Sequence, residues 1–219
     1  AHSRNNAASK ADGKAYGAVG VGQSIASAIT NAATQAATED GAALQARDDI
    51  SILSSSDTVV DVDAIGGGSG LVIANYATAT ASVESDVVTS SIGSDNVIAA
   101  GDVLALIATR AADVRASAVL DGDFNALDQN YPTATASIAN AAATVAIGSN
   151  ATVDASRVIL AAEDSNVYVE ANARSETDIT AAADYEPTAT VNASVSSNVQ
   201  VGAGAEITAT ESVAILAQE

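Results

Sequence analysis

The chain has no cysteine, no methionine and no tryptophan, one histidine (His2), one phenylalanine (Phe124) and two prolines (Pro132 and Pro187). Without cysteine there are no disulfides, thiol nucleophiles or thiolate metal sites. A single histidine removes most imidazole catalysis and most zinc or iron centres. Cations are scarce too: 8 Lys and Arg stand against 27 Asp and Glu, a formal charge of -19. Affinity for nucleic acid comes from Lys and Arg on phosphates, and docking on anionic lipid needs the same residues, so neither partner is expected. No apolar run approaches the roughly 18 residues of a membrane helix, so no membrane insertion is expected. No signal peptide is visible ahead of the polar start AHSRNNAASKADGK; an export signal would have been removed or lie elsewhere.

What is present is small and aliphatic. Of 219 residues, 52 are alanine, and 48% are hydrophobic although only 3% are aromatic. That is enough for a core and argues against wholesale disorder. The core must be thin and built from Ala, Val, Ile and Leu.

The sequence also repeats. Thr78-Ala79-Thr80 recurs as Thr133-Ala134-Thr135 and Thr188-Ala189-Thr190, about 55 residues apart each time. Ile92-Gly93, Ile147-Gly148 and Val201-Gly202 follow in the same order. Then come VIAAGDVLALIA from Val97, VDASRVILAA from Val153 and ITATESVAILA from Ile207, with LQARDDISIL from Leu44 as a weaker copy. Within a unit, apolar residues alternate with small or polar ones, as in Val167-Tyr168-Val169-Glu170-Ala171. Period two is the strand signal, and Gly, Asn, Asp and Ser punctuate the runs. Alanine favours helix, and residues 26–46 could be drawn as one, but alternation with Thr, Ser and Val prevails across the chain.

The expected fold is all-β, a parallel β-solenoid of about four 55-residue units. Dividing each unit into three coils of about 18 residues gives about twelve coils, a rod roughly 55–60 Å long and an axial rise near 14 Å per unit. Residues 1–15 form a polar N-terminal segment, extended or in contact with a neighbour. Residues 16–219 form the solenoid, in units 16–75, 76–130, 131–185 and a truncated 186–219.

The stretches TVDASRVILAAEDSNVYVEANA (residues 152–173) and ITATESVAILAQE (residues 207–219) resemble the repetitive shaft of filamentous-haemagglutinin-like surface proteins. The likeness covers most of residues 40–219. It implies a right-handed parallel β-helix from a large exported bacterial protein, many of which are adhesins. That family's N-terminal secretion domain has no counterpart here, and no functional residue carries over.

Candidate sites are few. Asp121, Asp123, Asn125 and Asp128 place oxygen ligands at near-alternate positions, like the start of a calcium loop. The sixth and twelfth positions of such a loop want Gly and Glu and hold Ala126 and Pro132, so calcium is a weak candidate beside an acidic turn. Gly66-Gly67-Gly68-Ser69-Gly70 lacks the Lys of a phosphate loop and reads as a flexible bulge. Paired carboxylates could hydrolyse glycosides, but no cluster with aromatic sugar platforms is evident. Rows of Thr-x-Thr can bind ice, but once per unit, in every third coil, is too sparse. The N-x-S/T triplets at Asn150 and Asn192 carry little weight in so Ser/Thr-rich a chain. No enzyme is expected, and no cofactor beyond that weak calcium. The expected role is a rigid extracellular or cell-surface spacer or filament subunit, self-associating end to end. The alternative is an adhesin-type module reading surface glycans.

Overall fold

The computed structural model describes residues 1–218, with the side chains of residues 123, 124 and 177–179 left aside. Among the described residues there is no helix. Eight strands follow one another: β1 (His2–Ala37), β2 (Ala43–Ala46), β3 (Ile50–Ile92), β4 (Val97–Ala100), β5 (Val103–Ile147), β6 (Thr152–Tyr185), β7 (Thr188–Val201) and β8 (Glu206–Gln218). All pair in parallel in one sheet that does not close into a barrel. The alanine-rich stretch 26–37 is strand, not helix, because its alternate residues face a core that a helical period could not follow.

The register corrects the expected coil count. Paired residues lie 53 to 55 positions apart, not about 18. His2, Ser55, Thr109, Glu163 and Gln218 form one continuous column. A 55-residue unit is therefore a single row of the sheet, not three stacked coils. Most columns hold four residues and the His2 column holds five, so at about 4.8 Å per row the slab is about 14–19 Å between first and last rows, not a rod of 55–60 Å. The rise per unit is one strand spacing, not three.

Each row bends back on itself. In β3, Val60, Val62 and Ala64 share one apolar cluster with Ala77, Ala79, Ala81 and Val83, so the strand folds over near Gly66–Gly70. The glycines there are set by close packing. A Cβ on Gly67 would stand 1.8 Å from the Asp121 carbonyl oxygen, and one on Gly68 would stand 2.1 Å from that of Ala15. A second cluster gathers Val88, Ile92, Ile98, Leu104, Leu106 and Ala108 with their counterparts one row on, Ala143, Ile147, Val153, Val158, Leu160 and Ala162, and with Val145.

The corner after the long strands recurs in every row. Gly41, Asp95, Asn150 and Gly204 each adopt positive φ, between 55° and 73°. Glycine takes this conformation freely and Asn or Asp tolerates it. The corners are tied together: Asn150 Nδ2 donates to Asp95 Oδ1 (3.2 Å), and Ser94 N donates to Asp40 Oδ1 (2.6 Å). The fully buried Asn96 accepts from Ala42 N and donates to Thr38 Oγ1, both at 2.6 Å.

The last row leaves its inward residues uncovered. Val213 pairs with Val158 and Ile215 with Leu160. Val158 and Leu160 are wholly buried, while Val213 is 47% and Ile215 60% exposed. Val191, in register with buried Ala136, is 50% exposed. The aliphatic cross-section is open at this end.

Candidate functional site

Between the two apolar clusters runs a seam of buried polar side chains that crosses all four rows. It arises from inward positions where the alternation places a polar residue instead of Ala or Val. Arg110 follows Leu104, Leu106 and Ala108 at the same inward parity and is wholly buried. Its column is Ser3, Ser56, Arg110, Asp164. Asp86 stands in the column Ala32, Asp86, Ala141, Val195 and is also wholly buried.

The contacts link row to row. Ser3 Oγ lies 2.5 Å from Thr34 Oγ1 and donates to Ser56 Oγ at 3.2 Å. Thr58 Oγ1 donates to Asp86 Oδ2 at 3.0 Å. Arg110 Nη1 is 3.9 Å from that same oxygen, and Arg110 Nε donates to Asp164 Oδ1 at 2.5 Å. Ser197 Oγ reaches Asp164 Oδ2 at 3.0 Å. Alongside, Ser54 and Ser90 are joined at 2.7 Å, and Ser90 donates to the Ile107 carbonyl at 2.6 Å.

One guanidinium thus serves two carboxylates away from water. Burial pushes the Asp86 carboxyl above its ordinary range, aided by the negative Asp164; hydrogen bonds from Ser56 and Thr58 and the charge of Arg110 pull the other way. The balance falls to burial because Arg110 spends its short contact on Asp164. Neither Nη of Arg110 nor Oδ1 of Asp86 has a hydrogen-bond partner among the described residues. A buried ion cluster satisfied only in part adds little net stability, but breaking it is costly.

The candidate calcium residues differ in burial. Asp121 is exposed, whereas Asn125 and Asp128 are buried. Asn125 Oδ1 accepts from Gly70 N at 3.1 Å, and Asp128 Oδ2 accepts from Asn130 Nδ2 at 2.8 Å. The side chain of Asp123 lies outside the described residues. Among the described residues no group of three His, Asp or Glu side chains is placed to hold a metal ion. The described surface offers shallow grooves, one along Ala46, Gly101, Asp154, Ser156 and Thr210 and another along Val72, Leu127, Gln129, Ala182 and Asp184.

The register also changes the count of threonine pairs. Thr78, Thr133 and Thr188 form one outward column and Thr80, Thr135 and Thr190 the next. The pair therefore occurs in each of three successive rows, not in every third coil. With three rows the array is small, and threonine's fit to a half-exposed pleated surface accounts for it.

No family model, no curated protein and no solved structure matches this chain. No helix among the described residues is long and apolar enough to cross a membrane.

Proposed function

We propose that the chain is a parallel β-solenoid segment of a bacterial cell-surface or extracellular protein, acting as a rigid spacer or self-associating filament subunit. The observation that carries this is the parallel, in-register stacking of successive rows, column on column. Val213 and Ile215 continue columns whose preceding members are wholly buried, yet they are themselves about half exposed. A further row laid on top would cover them and engage the unpaired backbone groups of the last row, as every earlier row is engaged. Fully burying one Val or Ile side chain contributes about 1.5–3 kcal/mol, so several such residues supply a strong drive to stack. The likeness of residues 152–173 to filamentous-haemagglutinin-like shafts agrees with this reading. The mechanism is mechanical: backbone ladders run along the axis, aliphatic columns fill the interior, and acidic side chains keep neighbouring stacks apart laterally.

The test is imaging of the purified chain together with fibre diffraction. The expected result is rods with a meridional spacing of about 4.8 Å, one row, and about 19 Å per four-row chain. Ile215→Lys, which puts a charge on the open cross-section, should leave the circular dichroism of the sheet intact and shorten the rods. Compact particles at every concentration would refute the role.

A further inference from the structure

We propose that a groove on the outer face of the sheet binds a flat, elongated organic cation, an aromatic body of two or three linked rings with its positive charge at one end. Two outward columns form the walls. One is Val19, Val72, Leu127 and Ala182, and the other is Val21, Ala74, Gln129 and Asp184. Between the columns the backbone of Asp128 and Ala183 lines the floor. The side chains of Ile73 and Asp128 are buried on the other side, as the period of two requires. The register is unbroken from Gly70 to Val83, so the columns are straight and the groove follows the axis. Both walls face outward, so rows beyond either end of the chain would lengthen the groove and leave it open.

The chemistry is graded along the axis. Val19, Val21, Val72 and Leu127 make the earlier rows aliphatic, and all four are exposed. Further on, Gln129 and Asp184 take over the second wall. Asp184 is exposed and accepts a hydrogen bond from Tyr131 Oη at 3.3 Å. Tyr131 stacks on Tyr76, with centroids 5.4 Å apart and planes 19° from parallel, so the neighbouring column braces the carboxylate. Desolvation, and then the negative charge of Asp184 and Glu186, hold the Tyr131 phenol above its ordinary range. Negative charge therefore gathers at this end of the groove.

Size and charge select the occupant. From Val72 to Asp184 the groove holds about 280 Å³, close to the lower limit for a small-molecule site. A folded partner needs a footprint of roughly 800 Å². The chain carries a charge of -19, so its field draws cations and repels anions. A neutral sugar wants a free aromatic face, and the faces of Tyr76 and Tyr131 are turned toward each other. The fitting ligand is apolar for most of its length, where aliphatic walls cover it, and ends in a cation beside Asp184. Four rows span about 14 Å, which sets its length.

The experiment uses thioflavin T, a flat benzothiazolium cation, titrated by calorimetry into the full chain at about 0.02 M salt. A neutral demethylated analogue and an anionic naphthalenesulfonate dye are run beside it. Circular dichroism checks the fold of each variant, and sedimentation gives its association state. The parent should bind the cation saturably, at least about tenfold tighter than the anion. Leu127→Lys, at an exposed position, should weaken the cation about tenfold or more. Asp184→Asn should weaken it about threefold and leave the neutral analogue unchanged. A parent that does not bind the cation, or a Leu127→Lys chain that binds as well as the parent, overturns the site. Equal loss of both dyes in Asp184→Asn, or an anion bound as tightly as the cation, overturns the charge assignment. A parent that associates without dye and is dispersed by Leu127→Lys fills the groove with a second copy, which also overturns the proposal.

Discussion

Replacing Arg110 by methionine tests whether the seam is held by its cation. The guanidinium is the only positive group within reach of Asp86 and Asp164 among the described residues, at 3.9 and 2.5 Å. Methionine fills similar length without charge and leaves two carboxylates facing each other away from water. Breaking a buried ion cluster by removing one partner costs about 3–5 kcal/mol. For a chain of this size each kcal/mol moves the melting temperature by about 2–4 °C, so Arg110→Met should melt roughly 6–20 °C lower. Removing all three charges, with Asp86→Ala and Asp164→Ala added, should recover most of the loss, because an apolar replacement of such a cluster is often neutral or stabilising by about 1–4 kcal/mol. Alanine suits the Asp86 position, whose column neighbours are Ala32 and Ala141. Calorimetry and guanidinium unfolding of the three proteins give the comparison. A single variant that loses less than about 1 kcal/mol, or a triple variant no better than the single, would refute the account of the seam.

Two further predictions follow from local geometry. Asp86 binds a proton more tightly in the fold than in the unfolded chain, so between the ordinary carboxylate range and its raised value the native state holds more protons. Stability should therefore fall as pH rises through that window, and Asp86→Asn should remove that part of the slope in pH-dependent unfolding. At the corner, Asn150 has φ of 56°. Asn150→Gly should be nearly neutral, whereas Asn150→Val should cost about 1–2 kcal/mol for the left-handed backbone, more with loss of the bond to Asp95, read as a shift in denaturation midpoint.

Much of the strand content could be read from period two, because runs such as Val167 to Ala171 allow only one face to be apolar. The coil length could not be read the same way. Each side of a bent row shows the same alternation, and alternation does not say whether a strand's neighbour lies 18 or 55 residues away. The better guide was the threonine landmark itself: Thr78 pairs with Thr133 and Thr133 with Thr188, so the spacing of like residues was the pairing distance. The seam left a signal that went unused. Arg110 follows Leu104, Leu106 and Ala108 in step, which marks an inward charge wherever the alternation holds. Its partners Asp86 and Asp164 stand 24 and 54 residues away on separate strands, and only the register joins them. In the Asp121 to Asp128 stretch Asp121 is exposed while Asn125 and Asp128 are buried, because alternate residues on a strand share a face only while the pleat is regular, and the register shifts nearby between Gly68 and Gly70.

The long reach of every pairing governs how this chain can acquire its shape. Since among the described residues no strand pairs in the sheet with a partner nearer than 53 residues along the chain, there is no hairpin to seed the process, and residues 1–54 alone have no strand to pair with. The earliest ordered species must bring together two circuits, about a hundred residues, against the chain entropy of a long closure. Every later circuit then adds to a finished template, so synthesis of the first half is slow to order and the second half follows quickly.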